Sequence, residues 1–346
     1  MCLIFYITPV CFSATITWTK GADGNFGENS SWTGANLPGV SDEAVIDTAY
    51  SISSNLSLTI QNLTLNNGNL IIQGGDTLTV SENVFVTSPT RLSGFGNILT
   101  KNLYLTSGNL DLSEMTISES IEIYSGNISA NLNGTGNLHK STSDVAILSG
   151  INNYSGNTVI TAGTIYASAD NVLPASTDLI LSSGTYSLNG FNQTIHSLSG
   201  QGNLDLANGD LVISHTENYT FSGNITGTGN ITFNQSGTLT LDGKSGFSGQ
   251  FNIDAGNLQF KNGGAGSATM NLNGGNMIGS AWRMSTQGLY YGTVNTRDDE
   301  TTLNPNDSIS TDLAGTDDNI ATNTTEIWNG FIYDEDGHIN LREHND

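Results

Sequence analysis

The sequence predicts an all-β protein built as a β-helix, a solenoid in which short strands stack in successive turns. Short aliphatic runs alternate with Gly, Asn and Ser turns along the 346 residues, which is the period-two signal of strands separated by turn chemistry. No comparable window shows the helical period. Part of the chain also recurs at a constant offset of 93 residues, as from Gly134 to Gly227. Repeats of this kind indicate stacked units that share one continuous core.

The repeat keeps one register and is therefore more than a bias in composition. At the same offset Tyr154 falls on Phe247, and Ile160 falls on Ile253. Gly-x-Gly-Asn followed by an aliphatic residue begins at Gly94, Gly134, Gly200 and Gly227. Aromatic-Ser-Gly begins at Tyr124, Tyr154, Phe221 and Phe247. We interpret these glycines as turn residues with positive φ, because a phosphate-binding loop would also need a following helix.

One stretch, from Leu148 to Leu206, carries a resemblance to a known family. It contains Leu-x-Gly-x-Asn-x-Tyr-Ser-Gly from Leu148, Ala-Gly-Thr from Ala162 and Leu-Asn-Gly-x-Asn-Gln-Thr-Ile from Leu188. This pattern resembles the autotransporter-associated β-strand repeat, also called the passenger-associated transport repeat. It departs from the family at Asn157, where a glycine is usual. The resemblance implies a right-handed parallel β-helix on a secreted or surface-displayed bacterial protein, and it implies no particular reaction.

The first 14 residues are predicted to be a secretory signal peptide. They are apolar and end in small residues, with cleavage expected after Ser13 or Ala14. A buried first strand is the alternative. Both cysteines, Cys2 and Cys11, lie in this segment. The mature chain would then contain no cysteine, which fits export without disulfide bonds.

Residues 15–50 are predicted to form an N-terminal cap, and residues 51–280 the β-helix. Trp18, Phe26 and Trp32 are interleaved with glycines, and large aromatic rings suit the covering of an exposed first turn. An aromatic sugar-binding platform is the alternative. With roughly 20 residues per turn, the β-helix should have about eleven turns. Its predicted strands have three to five residues each, and they include 56–60, 63–65, 70–72, 78–80, 84–86, 103–105, 110–112 and 121–124.

Residues 281–346 are predicted to be an irregular acidic segment. From Arg297 to Asp346 there are 13 acidic residues against two arginines, a net charge of −11, which favours a linker. Asp336-Gly337 lies within an alternating stretch and indicates a β-hairpin. The stretch from Glu326 resembles the opening of a lectin-like β-sandwich of the protective-antigen type. The motif is incomplete, so we expect the chain to be a fragment of a longer surface protein.

No catalytic, cofactor-binding or metal-binding residue is predicted. The five histidines lack metal-ligand spacing, and we expect them at the surface or in turns. The charged residues of the solenoid are expected to be scattered rather than grouped on one face; they include Asp76, Glu82, Arg91, Lys101, Asp111 and Glu114. Weak calcium binding is the remaining cofactor hypothesis, at Gly74–Thr79, Asp317-Asp318 or Asp334–Asp336, with plain solvated acid as its alternative.

The sequence favours an exported bacterial β-helix protein, secreted or at the cell surface, with a structural or adhesive role and with glycans or another cell as partner. The net charge is −23 with nine Lys and Arg, so nucleic acid is excluded as a partner. No apolar run of the mature chain is long enough to insert into a membrane. We predict no enzymatic activity. A polysaccharide lyase or glycosidase and a ligand-free spacer stay open as alternatives, and the orientation of Trp282, Tyr290, Tyr291 and Trp328 would discriminate among them.

Overall fold

The protein is an all-β parallel solenoid of about 11 turns. The computed structural model describes residues 14–87, 89–261 and 268–280, together with short strands at 294–296, 310–312, 332–333 and 339–340. Within this part of the chain the helical content is two 3₁₀ turns, η1 (Asn29–Ser31) and η2 (Thr33–Ala35). The predicted all-β solenoid is confirmed, as is its number of turns. The right-handed coiling stays a prediction.

The chain divides into two compact units, residues 1–136 and residues 137–346. The strands of the first unit are β1 (Thr15–Thr17), β2 (Gly24–Asn25), β3 (Glu43–Ser53), β4 (Leu58–Ile72), β5 (Thr77–Val86), β6 (Arg91–Leu105), β7 (Asn109–Ile123), β8 (Gly126–Ile128) and β9 (Asn131–Gly134). Those of the second unit are β10 (Asn137–Lys140), β11 (Val145–Leu148), β12 (Asn153–Tyr154), β13 (Thr158–Ile160), β14 (Thr164–Ala167), β15 (Asp178–Leu181), β16 (Thr185–Ser187), β17 (Gln193–Ile195), β18 (Ser197–Gly200), β19 (Asn203–Asp205), β20 (Leu211–Ile213), β21 (Asn218–Phe221), β22 (Asn224–Gly227), β23 (Asn230–Leu241), β24 (Gly246–Phe247), β25 (Gln250–Phe260), β26 (Thr269–Leu272), β27 (Asn276–Ser280), β28 (Val294–Thr296), β29 (Ser310–Asp312), β30 (Ile332–Tyr333) and β31 (Ile339–Asn340).

The core of the first unit consists of aliphatic side chains stacked from turn to turn. In one column Leu63 pairs with Val84, Val84 with Leu103, and Leu103 with Ile121. All four side chains are fully buried. The alternation of buried and exposed residues along each strand directs every second side chain into this core. The aliphatic pairs of the sequence therefore build the columns that hold successive turns in register.

The strands of the first unit are longer than predicted. β4, β6 and β7 each have 15 residues, because they continue around corners through shifts of register, as between Thr100 and Asn102. Such β-bulges bend a strand without ending its pairing. The prediction of separate strands of three to five residues is therefore wrong for this unit. In the second unit most strands are short, with β23 and β25 as the long exceptions.

The first glycine of each Gly-x-Gly-Asn motif occupies a backbone conformation that other residues adopt with strain. The φ angles lie between +103° and +121° at Gly94, Gly134, Gly200 and Gly227. A Cβ atom at Gly134 would lie 2.0 Å from the carbonyl oxygen of Ile117 in the neighbouring turn. Both the φ angle and the close approach therefore require glycine, which confirms the predicted positive φ for the first glycine of each motif.

Polar residues stack in ladders beside the aliphatic columns. Asn83 donates from Nδ2 to Oδ1 of Asn62 at 2.9 Å, and Asn102 donates in the same way to Asn83 at 3.1 Å. In the second unit Asn271 donates to Oδ1 of Asn252 at 2.7 Å. Stacked amides therefore satisfy one another's hydrogen bonds from turn to turn.

The aromatic residues of the N-terminal segment form a buried cluster. Trp32 makes edge-on contacts with Trp18 and Phe26, at centroid distances of 5.2 and 4.7 Å. All three rings are buried, and Trp32 Nε1 donates to the carbonyl of Phe26 at 2.8 Å. β1 and β2 pair in parallel with β3. Rings buried in this way are inaccessible to a sugar, so the platform alternative is wrong for them, and their burial supports the cap.

The repeat motif of the second unit supplies a buried polar network. Gln193 accepts from the backbone N–H of Leu173 at 3.0 Å and donates to its carbonyl at 2.9 Å. Tyr186 donates to the same Gln193 Oε1 at 3.1 Å. Asn152 donates to the carbonyl of Val172 at 2.7 Å. These side chains attach the loop of residues 171–177 to the solenoid, so their place in the motif is structural.

Parallel pairing continues past residue 280, the predicted end of the β-helix. β28 pairs with β26, and β29 pairs with β27. β30 and β31 pair antiparallel, in the segment for which the sequence predicts a hairpin. Residues 1–13, which hold most of the predicted signal peptide, lie outside the described residues, as do Trp282, Tyr290, Tyr291 and Trp328.

Candidate functional site

The candidate site is a shallow open pocket of about 430 Å³ on the first unit. Its walls come from two consecutive turns, β6 and β7. The lining residues are Arg91, Ser93, Gly94, Phe95, Asp111, Leu112 and Ser113. We refer to this set as the Phe95 pocket. It combines an aromatic ring, an ion pair and two hydroxyl groups.

A β-bulge places Phe95 on the outside of the solenoid. Gly94 pairs with Leu112 and Asn97 pairs with Glu114, so Phe95 and Gly96 together face Ser113. The extra residue leaves the ladder, and the positive φ of Gly94 turns the chain outward. As a result the Phe95 side chain is 85% exposed, the largest exposure among the large hydrophobic residues that the structure describes.

Two outward-facing ladders lie beside the ring. In the first, Arg91 pairs with Asn109, which pairs with Asn127. In the second, Ser93 pairs with Asp111. Arg91 reaches diagonally from one ladder to the other, and its Nη2 donates to Oδ2 of Asp111. The two ladders therefore present charged and amide groups side by side next to an exposed ring.

The carboxylate of Asp111 is held in its ionised form. Ser129 donates to its Oδ1 at 2.7 Å. This hydrogen bond, and then the one from Arg91, lowers the pKa of Asp111 below its ordinary value. An ionised carboxylate is a hydrogen-bond acceptor only, and Arg91 offers N–H donors beyond the one bound to Asp111. The pocket can therefore accept hydrogen bonds from a ligand and donate to it at adjacent points.

Some charged residues of the first unit form separate ion pairs that bridge neighbouring turns. Arg91 and Asp111 are one such pair, and Lys101 donates to Oε1 of Glu82 at 2.8 Å as another. The separations are 20 and 19 residues, close to the 18 and 19 residues of one turn at these two points. Opposite charges about 20 positions apart were the signal that sequence reasoning missed. Phe95 was missed as well, although the flanking glycines at 94 and 96 mark it as a turn residue.

His196 shares an acid with a neighbouring serine. Asp178 Oδ1 accepts from His196 Nδ1 at 2.7 Å and from Ser197 Oγ at 2.6 Å. The serine thus donates to the acid rather than to the imidazole, which is unlike a catalytic triad. His338 and His344 lie outside the described residues.

His215 lies in the connection between β20 and β21, which fits the expectation of a histidine at the surface or in a turn, but its side chain is buried. It is fully buried and packs against Tyr219 and Phe233, at centroid distances of 4.8 and 4.9 Å. Its Nδ1 donates to the carbonyl of Glu217 at 2.6 Å. Its Nε2 lacks a partner among the described residues. Burial lowers the pKa of His215, so the neutral imidazole serves as a core side chain.

The calcium hypothesis receives no support from geometry in the part of the chain that the structure describes. No group of three or more His, Cys, Asp or Glu side chains is close enough there to hold a metal ion. Asp76, the acid of the Gly74–Thr79 candidate, accepts a hydrogen bond from Ser54 Oγ at 2.6 Å. The acids at 317–318 and 334–336 lie outside the described residues, and calcium binding there stays a prediction.

Comparison with known proteins shows similarity to parts of much longer proteins. The adhesin BmaC autotransporter of Brucella suis biovar 1 (strain 1330) is 32% identical over 218 residues, which are 60% of this chain and 6% of the adhesin. The alpha-agarase of Thalassotalea agarivorans is 48% identical over 59 residues, 17% of this chain and 4% of the enzyme. The alpha-agarase of Alteromonas agarilytica is 40% identical over 74 residues, 20% of this chain and 5% of the enzyme.

The chain thus spans 4% to 6% of the length of these curated relatives. No family model matches the chain, and no solved structure matches it. Across the residues that the structure describes, none of the helices has the length and apolar character needed to span a bilayer. The similarity that covers the larger part of this chain is to an autotransporter adhesin, and it agrees with the parallel β-solenoid.

Proposed function

We propose that this chain is an adhesive solenoid module of an exported bacterial protein, secreted or displayed at the cell surface, which binds glycans through its outward polar ladders. The observation that carries the proposal is the similarity over 60% of the chain to a protein named an adhesin and autotransporter. The parallel β-solenoid supports it, because stacked turns present outward side chains at a regular spacing within each unit. The repeat resemblance at 148–206 points in the same direction.

The module acts by presentation rather than by chemistry. The aliphatic columns fix the spacing of successive turns, so outward side chains recur about every 20 residues along each face. A repeating polymer can then be contacted at several turns at once, and weak contacts add up through multivalency. Asn, Ser and Thr ladders suit such a ligand, since each residue offers both a donor and an acceptor.

A bead assay tests the adhesive role. Beads coated with the full chain are passed over immobilised cells and polysaccharide films, with albumin-coated beads as the control. We expect saturable retention that soluble chain competes away. Retention equal to that of albumin beads on every surface would contradict adhesion and would favour a spacer without a ligand.

A polysaccharide-active enzyme is the second candidate, because two alpha-agarases contain segments similar to this chain. The matched segments span 4% and 5% of those enzymes, and we propose that they are solenoid modules shared with the agarases rather than catalytic parts. Incubation of the full chain with agarose, followed by a reducing-end assay, separates the two. We expect no release above buffer, and a time-dependent release would favour the enzyme.

A further inference from the structure

The Phe95 pocket has three features that together favour a carbohydrate as its ligand. An exposed ring offers an apolar face, which matches the C–H face of a pyranose ring. The ionised Asp111 accepts hydrogen bonds, and Arg91 donates them, which matches vicinal hydroxyl groups. Ser93 and Ser113 add hydroxyls at the same wall. Apolar surface with a few fixed polar groups is the usual composition of a small-molecule site.

The fold itself does not need Phe95 in this position. The ring is 85% exposed, so it contributes little buried area to the core. Single exposed apolar residues are common on protein surfaces, but here the ring lines a shallow pocket together with an ion pair that bridges two turns. Removal of the Phe95 ring therefore tests a role in binding with little effect on the core.

The charge of the pocket indicates which class of glycan fits. Arg91 is neutralised by Asp111, and the chain carries a net charge of −23. An anionic sugar would find no free positive charge in the pocket and would be repelled by the rest of the surface. An uncharged sugar needs no free positive charge, and the negative surface does not repel it. Hydrogen bonds from hydroxyls to the ionised Asp111 would be charge-assisted and therefore stronger than neutral ones.

We propose that the Phe95 pocket is a subsite for one or two rings of an uncharged polysaccharide, with Phe95 stacking on a sugar face and the Arg91–Asp111 pair binding its hydroxyls. This proposal rests on the glycan-binding role proposed above and assigns it to particular residues. The subsite binds without hydrolysing, because its lining contains one carboxylate, Asp111, and that group is ionised. A glycosidase needs a protonated carboxylic acid opposite a second carboxylate.

Calorimetric titration of the full chain tests the subsite. The probes are neutral hexasaccharides from agarose, cellulose and starch, and anionic hexasaccharides from alginate and pectate. Phe95→Ala removes the ring, and Asp111→Asn keeps the shape while removing the charge. Ile151→Ala is the matched control, since it truncates another strongly exposed apolar side chain, 73% exposed, outside the pocket.

We expect the wild-type chain to bind at least one neutral hexasaccharide more tightly than any anionic one. Phe95→Ala should weaken that binding at least tenfold and Asp111→Asn about fivefold, with Ile151→Ala within twofold of wild type. Tighter binding of the anionic probes, or wild-type affinity in Phe95→Ala, would overturn the proposal. Lack of binding to every neutral probe would overturn it too, while saturable retention in the bead assay would leave the adhesive role standing.

Discussion

Substitution of Gly134 by alanine tests how the corners of the solenoid are built. Gly134 has a φ of +106°, and a Cβ atom there would lie 2.0 Å from the carbonyl oxygen of Ile117. The left-handed backbone costs about 1–2 kcal/mol for a residue with a Cβ. The overlap with the neighbouring turn adds about 1–3 kcal/mol, as for an overpacked core. We therefore expect a loss of about 2–5 kcal/mol in the free energy of unfolding.

Two further glycines of the same unit separate these contributions. Gly75 has a φ of +93° but no atom within 4 Å of a built Cβ, so Gly75→Ala should cost only the backbone part, about 1–2 kcal/mol. Gly21 has open space and no positive φ, and Gly21→Ala should change stability by less than about 0.5 kcal/mol.

Urea unfolding followed by circular dichroism measures all three glycine variants. Solenoids can unfold one part at a time, so amide hydrogen exchange of β7 and β9 should accompany the urea curves. If Gly134→Ala destabilises the protein no more than Gly75→Ala, the close approach to the neighbouring turn does not decide the choice of glycine.

Three other substitutions probe the core. The pKa of His215 is lowered by burial from its ordinary value of 6.5, so near and below pH 6.5 the unfolded chain binds more protons at this residue than the folded chain does. The free energy of unfolding of the wild-type chain should therefore fall from pH 7.5 to 5.5. Urea titrations should show a smaller fall for His215→Leu. Gln193→Ala leaves the buried N–H and C=O of Leu173 without their side-chain partner and should cost about 2–3 kcal/mol by the same titration. Leu103→Ala, in the fully buried column, should cost about 2–5 kcal/mol, and a cost below 1 kcal/mol would mean that the column is loosely packed.

Features that recur along the solenoid were predictable from the sequence. The aliphatic alternation around Leu63 and Val84 predicts the columns, because burial repeats every second residue. The Gly-x-Gly-Asn motif predicts corners of positive φ, because glycine alone adopts them without strain. Strand boundaries were less predictable. From the sequence, an asparagine such as Asn102 predicts the end of a strand. In the structure the pairing continues through the β-bulge at this residue.

The candidate site was not predictable, because its parts are distant in sequence and close only through the pitch of the coil. Arg91 and Asp111 become neighbours once the turn is known to hold 18 residues at that point, because Arg91 then pairs with Asn109 and reaches Asp111 diagonally. Turn length varies, however: Leu78 pairs with Ile98, 20 positions on, and Ile98 pairs with Met115, 17 positions on. A shift of a few residues changes which outward side chains meet. Sequence periodicity therefore predicts that outward-facing ladders exist. It does not predict which charged residues lie in the same ladder.

Phe247 and Phe95 illustrate the difference between an aromatic residue that packing requires and one that is available for binding. Phe247 belongs to the repeated aromatic-Ser-Gly motif, is fully buried, and contacts Phe251 edge-on at 4.9 Å. Phe95 lies between two glycines at a bulge and is almost entirely exposed. The first kind is fixed by packing, because its loss would leave a cavity. The second is free of that constraint, since bulges re-aim side chains without disturbing the columns beneath. Binding residues of such a solenoid are therefore expected at its bulged corners, where substitution changes the surface and leaves the core intact.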